Sequence, residues 1–195
     1  MTSAGACVAL LLATACAAGD QGASSASVEA RERLRRGLEL SRQGLYDGAA
    51  AELRRYVEAV PGDADARFQL GRTLLALARR DGGSSQEAID ELRRALELAP
   101  GKNHIRLQLA EALGETREGT HRPDEALALY RQVVERDPDD YEARLLMARW
   151  LAGSGLPDAR VMARAELERV LDVAPAGSAQ AEQAGALLQD LGGGR

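Results

Sequence analysis

The chain runs to 195 residues, 45% apolar but only 3% aromatic, and carries a net charge of −5. That balance suits helices packed through alanine and leucine. It also excludes a nucleic-acid footprint, because no Lys/Arg run is interleaved with aromatics. Cys7 and Cys16 are the only cysteines and both lie near the N-terminus; cleavage before Cys16 would leave one, which excludes a disulfide-stapled domain or a cysteine metal site.

From the N-terminus, Met1 to Gly19 has no charged side chain and includes the apolar run Cys7 to Ala13. The run is too short and too rich in small residues to span a bilayer, and it reads as the hydrophobic part of a secretory signal. Its end, Leu12-Ala-Thr-Ala15-Cys16, resembles the lipobox of bacterial lipoproteins. The resemblance implies a signal peptide over 1–15, lipid on Cys16, and membrane attachment through that anchor. Ala13 stands where the family prefers leucine, and a basic segment ahead of the apolar run is missing. Ala17 follows the cysteine where an aspartate would favour the inner membrane, which implies a weak preference for the outer one. Residues 16–27 are rich in Ala, Gly and Ser and read as a flexible tether. The expected location is the cell envelope, facing the periplasm. A cytoplasmic scaffold with an unprocessed apolar N-terminus stays open beside it.

The rest of the chain repeats. Pro61, Pro100, Pro138 and Pro175 follow one another at intervals of 39, 38 and 37 residues, and Ala49, Ala88, Ala126 and Ala163 each lie twelve residues before one of them. Large side chains follow each alanine at four residues: Leu53, Leu92, Tyr130 and Leu167. That spacing keeps one helical face apolar. An earlier segment recurs as Arg33…Gly37, Arg67…Gly71, Arg106…Ala110 and Arg144…Ala148, with a leucine three residues after each small residue. Each unit is two antiparallel helices, the small residue allowing close approach.

These positions resemble the tetratricopeptide repeat, a helix–turn–helix of about 34 residues with small, alanine, large and proline positions. The resemblance implies an all-α, right-handed α-solenoid of four helix pairs plus a C-terminal capping helix. It spans 28–191, with repeats at about 30–63, 64–102, 103–140 and 141–177, a cap at 178–191 and a tail at 192–195. Arginine stands at the family's tryptophan position in all four copies. The surplus over the family's length is expected in the turns Arg79–Ser85, Glu115–Arg122 and Gly153–Asp158, or, for the last, in a helix opening at Pro157. Ser84-x-x-Glu87 reads as a capping box, and Pro123-Asp124-Glu125 as a first turn.

Catalytic patterns are missing, so the chain reads as non-enzymatic and free of cofactors and metals. His104 and His121 lack any metal-ligand context, and Asp139-Asp140 belongs to a turn. Trp150 reads as core packing. What remains is protein binding. The family's first helices line a concave groove, which implies groove positions Arg31, Leu34, Leu38 and Arg42 in the first repeat. The second supplies Asp65, Phe68, Arg72 and Leu75; the third His104, Leu107, Glu111 and Glu115; the fourth Glu142, Leu145 and Arg149. An apolar row, Leu34, Phe68, Leu107 and Leu145, runs through them, and the charge grades from basic to acidic by the third repeat. The expected partner is another protein with a matching stripe and gradient. The lysine and asparagine of a carboxylate clamp are not at these places.

Overall fold

The computed structural model describes residues 25–115 and 122–193. Cys7, Cys16, the leader and His121 lie outside the described residues, as do Cys16's lipidation and residues 16–24 of the expected tether. The described residues form an all-α solenoid of nine helices. Helix α1 spans 25–42. It is followed by α2 Tyr46–Ala59, α3 Ala64–Asp81, α4 Gln86–Leu98, α5 Asn103–Glu115, α6 Pro123–Arg136, α7 Tyr141–Ser154, α8 Ala159–Val173 and α9 Ala179–Gly193. Odd-numbered α1 to α7 are the first helices of the repeats, even-numbered ones the second, and α9 is the cap.

Helix starts follow from short acids placed two residues after the prolines. Asp63 caps α3, accepting from the Ala66 N–H at 3.0 Å, and Asp140 caps α7 through the Ala143 N–H at 2.8 Å. Both satisfy donors that the first turn leaves without partners. Pro123 opens α6 at the helix start, as its fixed φ favours. The small residues do what their spacing implies. A Cβ on Gly37 would meet Leu53 Cγ at 2.8 Å, and one on Gly71 would meet Leu92 Cγ at 2.7 Å. Ala110 and Ala148 are fully buried at the same place, and Ala49, Ala88, Ala126 and Ala163 are at most 1% exposed. The cap buries Ala184 and sets Leu187, Leu188 and Leu191 against the apolar face of the fourth repeat.

Four local expectations are corrected. The first surplus lengthens α3 by a turn rather than the connection, because Arg79 and Arg80 find acids on α5 and α2. Of the two readings of the last surplus the turn holds and the helix opening at Pro157 does not: Pro157 lies in the turn 155–158, and α8 opens at Ala159, behind Asp158 in a left-handed conformation (φ 56°). The capping box is not made, because the N-cap is Ser85, which has no side-chain cap bond. The Ser84 hydroxyl accepts from the Gln86 N–H at 3.2 Å, but Glu87 turns away to Arg54. Both ends of the repeat domain extend further than expected: 25 is already helical, inside the expected tether, and α9 runs to Gly193, inside the expected tail.

Candidate functional site

The backbone shows which side of the solenoid is the inside of the curve. First helices touch their successors, α3 with α5, α5 with α7 and α7 with α9, whereas no two second helices come within backbone contact of one another among the described pairs. The first helices therefore line the narrower, concave side. The second helices form the outer face.

On the concave side, Phe68 and Leu145 are 8% and 5% exposed, and Leu75 is 2% exposed. Leu34, Leu38 and Leu107 are half-buried. The apolar row is thus largely the seam between successive first helices, and its expected role as an open stripe is corrected for Phe68 and Leu145. Phe68 meets the edge of His104 at 4.8 Å between ring centroids, and the Arg72 guanidinium lies 5.6 Å over its ring. The expected charge gradient is corrected too. Arg79 from α3 donates to Glu115 at 2.7 Å and Glu111 at 3.0 Å, so the acids of the third repeat are neutralised, and Lys102 holds Asp65 of the second at 2.5 Å. Arg42 is held by Glu39. Arg31, Arg72 and Arg149 remain exposed with no ion pair, beside exposed His104 and Glu142. Leu34, Leu38 and Leu107 with Arg72 and Arg149 make up what is open to a ligand there. Trp150 packs half-buried against Tyr130, 5.6 Å between centroids, with its indole N–H edge over Gly114, where a side chain would collide. It joins the third and fourth repeats.

The outer face carries an arrangement that the sequence reading missed. The arginine at the family's tryptophan position reaches from the first helix to a glutamate three residues after the repeat alanine. Arg33 pairs with Glu52 at 3.5 Å, Arg67 with Glu91 at 2.7 Å and Arg144 with Glu166 at 2.5 Å. Arg67 and Arg144 each also donate Nε to the preceding proline carbonyl, Pro61 O and Pro138 O, both at 2.9 Å. A second set of pairs spans successive second helices, whose backbones are too far apart to touch. Arg54 grips Glu87 with two donors at 2.7 and 2.8 Å, and Arg93 reaches Glu125 at 2.9 Å. Burial of a carboxylate opposes ionisation, but the Arg54 hydrogen bonds outweigh it and hold Glu87 below the usual carboxylate range. Aligning the four repeats on their alanines shows both sets: Glu52, Glu91 and Glu166 share one register position, Glu87 and Glu125 another.

Both sets fail around the arginines of the third repeat, the first within that repeat and the second at the fourth. Leu129 stands at the position of Glu91 and Glu166, and Met162 at that of Glu87 and Glu125. Arg106, only 4% exposed, has no acid within ion-pair distance. It donates Nη2 to Pro100 O at 2.6 Å and Nη1 to Asn103 Oδ1 at 3.1 Å, a turned orientation that leaves its buried Nε without an acceptor. Burial lowers its pKa, and the neighbouring Arg136, which donates to the same carbonyl at 3.2 Å, lowers it further. Arg131 reaches only the Met162 thioether at 3.5 Å. Between α2 and α4, by contrast, a cleft of about 330 Å³ has its cations Arg54, Arg67 and Arg94 matched by Glu58, Glu87 and Glu91. Among the described residues no cluster of His, Cys, Asp and Glu is suited to hold a metal ion, and no helix is long and apolar enough to cross a membrane.

A solenoid of helix pairs closed by a cap is a repeat protein. Comparison identifies the repeat. Three family profiles, all described as tetratricopeptide repeat, match residues 34–103, 69–139 and 118–191. Together they run through all four repeats and the cap, and the chain belongs to the tetratricopeptide-repeat family. No curated protein matches the sequence. Solved structures share the fold. MamA 41-end from Desulfovibrio magneticus RS-1 is 17% identical with a TM-score of 0.65, over 84% of this chain and 83% of that one. YrrB, titled a TPR protein with an unusual peptide-binding site, is 23% identical with a TM-score of 0.65, over 84% and 76%. An O-GlcNAc transferase mutant from Thermobaculum terrenum is 20% identical with a TM-score of 0.59, over 75% of this chain but 26% of its own.

Proposed function

We propose that this chain is a non-catalytic adaptor that holds a segment of a partner protein on its concave face, carried at the bacterial cell envelope by lipid on Cys16. The observation that carries the reading is the concave side itself. Half-buried Leu34, Leu38 and Leu107 offer apolar contact, and Arg72 and Arg149 stand exposed beside them with no internal acid to satisfy them. A bound segment would supply both partners at once: apolar side chains against the leucines and carboxylates to the guanidiniums. The peptide-binding TPR protein YrrB, with the same fold, supports the class of ligand. The anchor rests on the lipobox-like end at Cys16 and the Ala/Gly/Ser-rich residues after it.

One experiment with two readouts tests this. Tagged full-length chain is expressed in a bacterial host with labelled fatty acid, and partners are recovered from the envelope fraction. Wild type is expected to carry label and retain a partner. Cys16→Ala should lose the label, and Arg72→Ser with Arg149→Ser should lose the partner while keeping helicity by circular dichroism. An unlabelled wild type sinks the anchor. A partner retained by the doubly substituted chain sinks the concave face.

A further inference from the structure

Every arginine of α2 and α4 has an acid within 4.0 Å, whereas among the described residues Arg131 and Arg136 of α6 have none, and neither does Arg106 of α5. The cause is two register positions where glutamate gives way to Leu129 and Met162. Other repeats show what the outer face is built to hold: a carboxylate between the first-helix arginine and the second helix. At the matching register between α4 and α6, Arg93 is satisfied by Glu125, Leu129 stands for the acid that would serve Arg106, and Arg136 adds a further cation on the Pro100 carbonyl that Arg106 uses. Glu135 and Asp137 flank Arg136 in sequence, yet neither comes within ion-pair distance of it. A buried guanidinium with an unserved donor is costly, and the cost is relieved by an acceptor from outside.

We propose that the outer face of the third repeat binds a carboxylate on an acidic segment of a partner protein, supplying the acid that Leu129 does not. Arg136, exposed and bonded to the same Pro100 carbonyl as Arg106, meets the segment first. Arg106 then swings to the orientation of Arg67 and Arg144, with Nε on the Pro100 carbonyl and Nη1 toward the ligand. The site is separate from the concave face and stands whether or not that face binds anything. It would let one chain hold two segments on opposite sides.

The probe is a short dye-labelled peptide of alternating glutamate and leucine, read by fluorescence anisotropy. All binding is measured in an Arg72→Ser/Arg149→Ser background, so that concave binding cannot contribute. This background is expected to bind the peptide saturably, more weakly as salt rises. Adding Leu129→Glu should weaken binding by about tenfold or more, since an internal acid then competes for Arg106. The Leu129→Glu chain should melt no lower than its parent, because three repeats already carry glutamate there. Arg136→Ser, at an exposed position, should weaken binding comparably and decides the matter if Leu129→Glu misfolds. The proposal is overturned if the background does not bind, or if these substitutions leave binding unchanged. It is also overturned if sedimentation shows the chain pairing with itself through these residues, which would assign the face to a second copy.

Discussion

The second and third repeats have the same helices, the same seam and the same proline, yet they treat a buried arginine in opposite ways. Arg67 has Glu91 and a carbonyl, and its helix opens on a capping Asp63. Arg106 has a carbonyl and an amide, Leu129 where the acid would be, and Lys102 where the cap would be. Lys102 instead reaches back to Asp65 of the second repeat. The apolar frame is therefore copied from repeat to repeat, because each copy must bury its neighbour. The polar network is copied only in part, the arginine–glutamate pair standing in three repeats and failing in the third. It is where repeats of one array become different from one another, and difference along an array is what a binding surface requires.

The sharpest break of that comparison is to give the fourth repeat the third's chemistry. Glu166→Leu removes the acid from Arg144, a guanidinium whose side chain is 8% exposed. Leaving a buried charge unpaired costs about 3–5 kcal/mol. Urea denaturation is expected to show a loss at the lower end of that range, because Pro138 O still accepts from Nε. Adding Arg144→Met should recover most of it. A Glu166→Leu chain as stable as wild type would mean that a lone arginine costs nothing in this fold, and that Arg106 needs no outside partner.

How far the sequence carried the reading follows from the same contrast. The period, the seam and the proline turns were legible, because each rests on side chains close in sequence: Gly71 against Leu92, Ala126 under its own helix pair. The openness of the groove was not. Whether Phe68 faces a ligand or His104 depends on how far each repeat rotates on the last, and helical periodicity within one repeat says nothing of that. Phe68 and Leu145 were consequently read as open when they are packed. The arginine–glutamate pairs were legible in principle. Laid on the repeat alanines, Glu52, Glu91 and Glu166 coincide and Leu129 stands out, but the pairing crosses from one helix to the other and is seen only once the repeats are aligned.

A smaller effect separates two tyrosines. Tyr130, packed on Trp150 in the third repeat, has its pKa raised chiefly by burial and then by Glu111 and Glu115. Tyr56 in the first is raised by burial and by its hydrogen bond to Asp63 at 2.8 Å. A pKa raised on folding gives stability that is whole below the ordinary tyrosine value of about 10 and is lost as pH climbs through the folded value. Wild type should therefore lose on the order of 1 kcal/mol at Tyr130 between about pH 9 and 11. Tyr130→Phe should flatten that limb while leaving the part due to Tyr56. An alkaline limb unchanged in Tyr130→Phe would show that the hydroxyl is hydrated in the folded chain.

The smallest expected effect tests the outer ladder where it is intact against where it is broken. Arg54 and Glu87 are joined by two hydrogen bonds but are 42% and 53% exposed. Exposed pairs contribute about 0.2–1 kcal/mol, and salt screens them. A double-mutant cycle of Arg54→Ala and Glu87→Ala should give a coupling within that range at low salt, with most of it gone at about 1 M. The same cycle on Arg131 and Met162, two steps further along the array, should give almost none at either salt, since a thioether is a weak acceptor. Equal couplings would remove the distinction between the neutralised and the bare halves of this face. A coupling at Arg54–Glu87 alone fits an outer surface whose first half is closed on itself and whose second half keeps its arginines for something else.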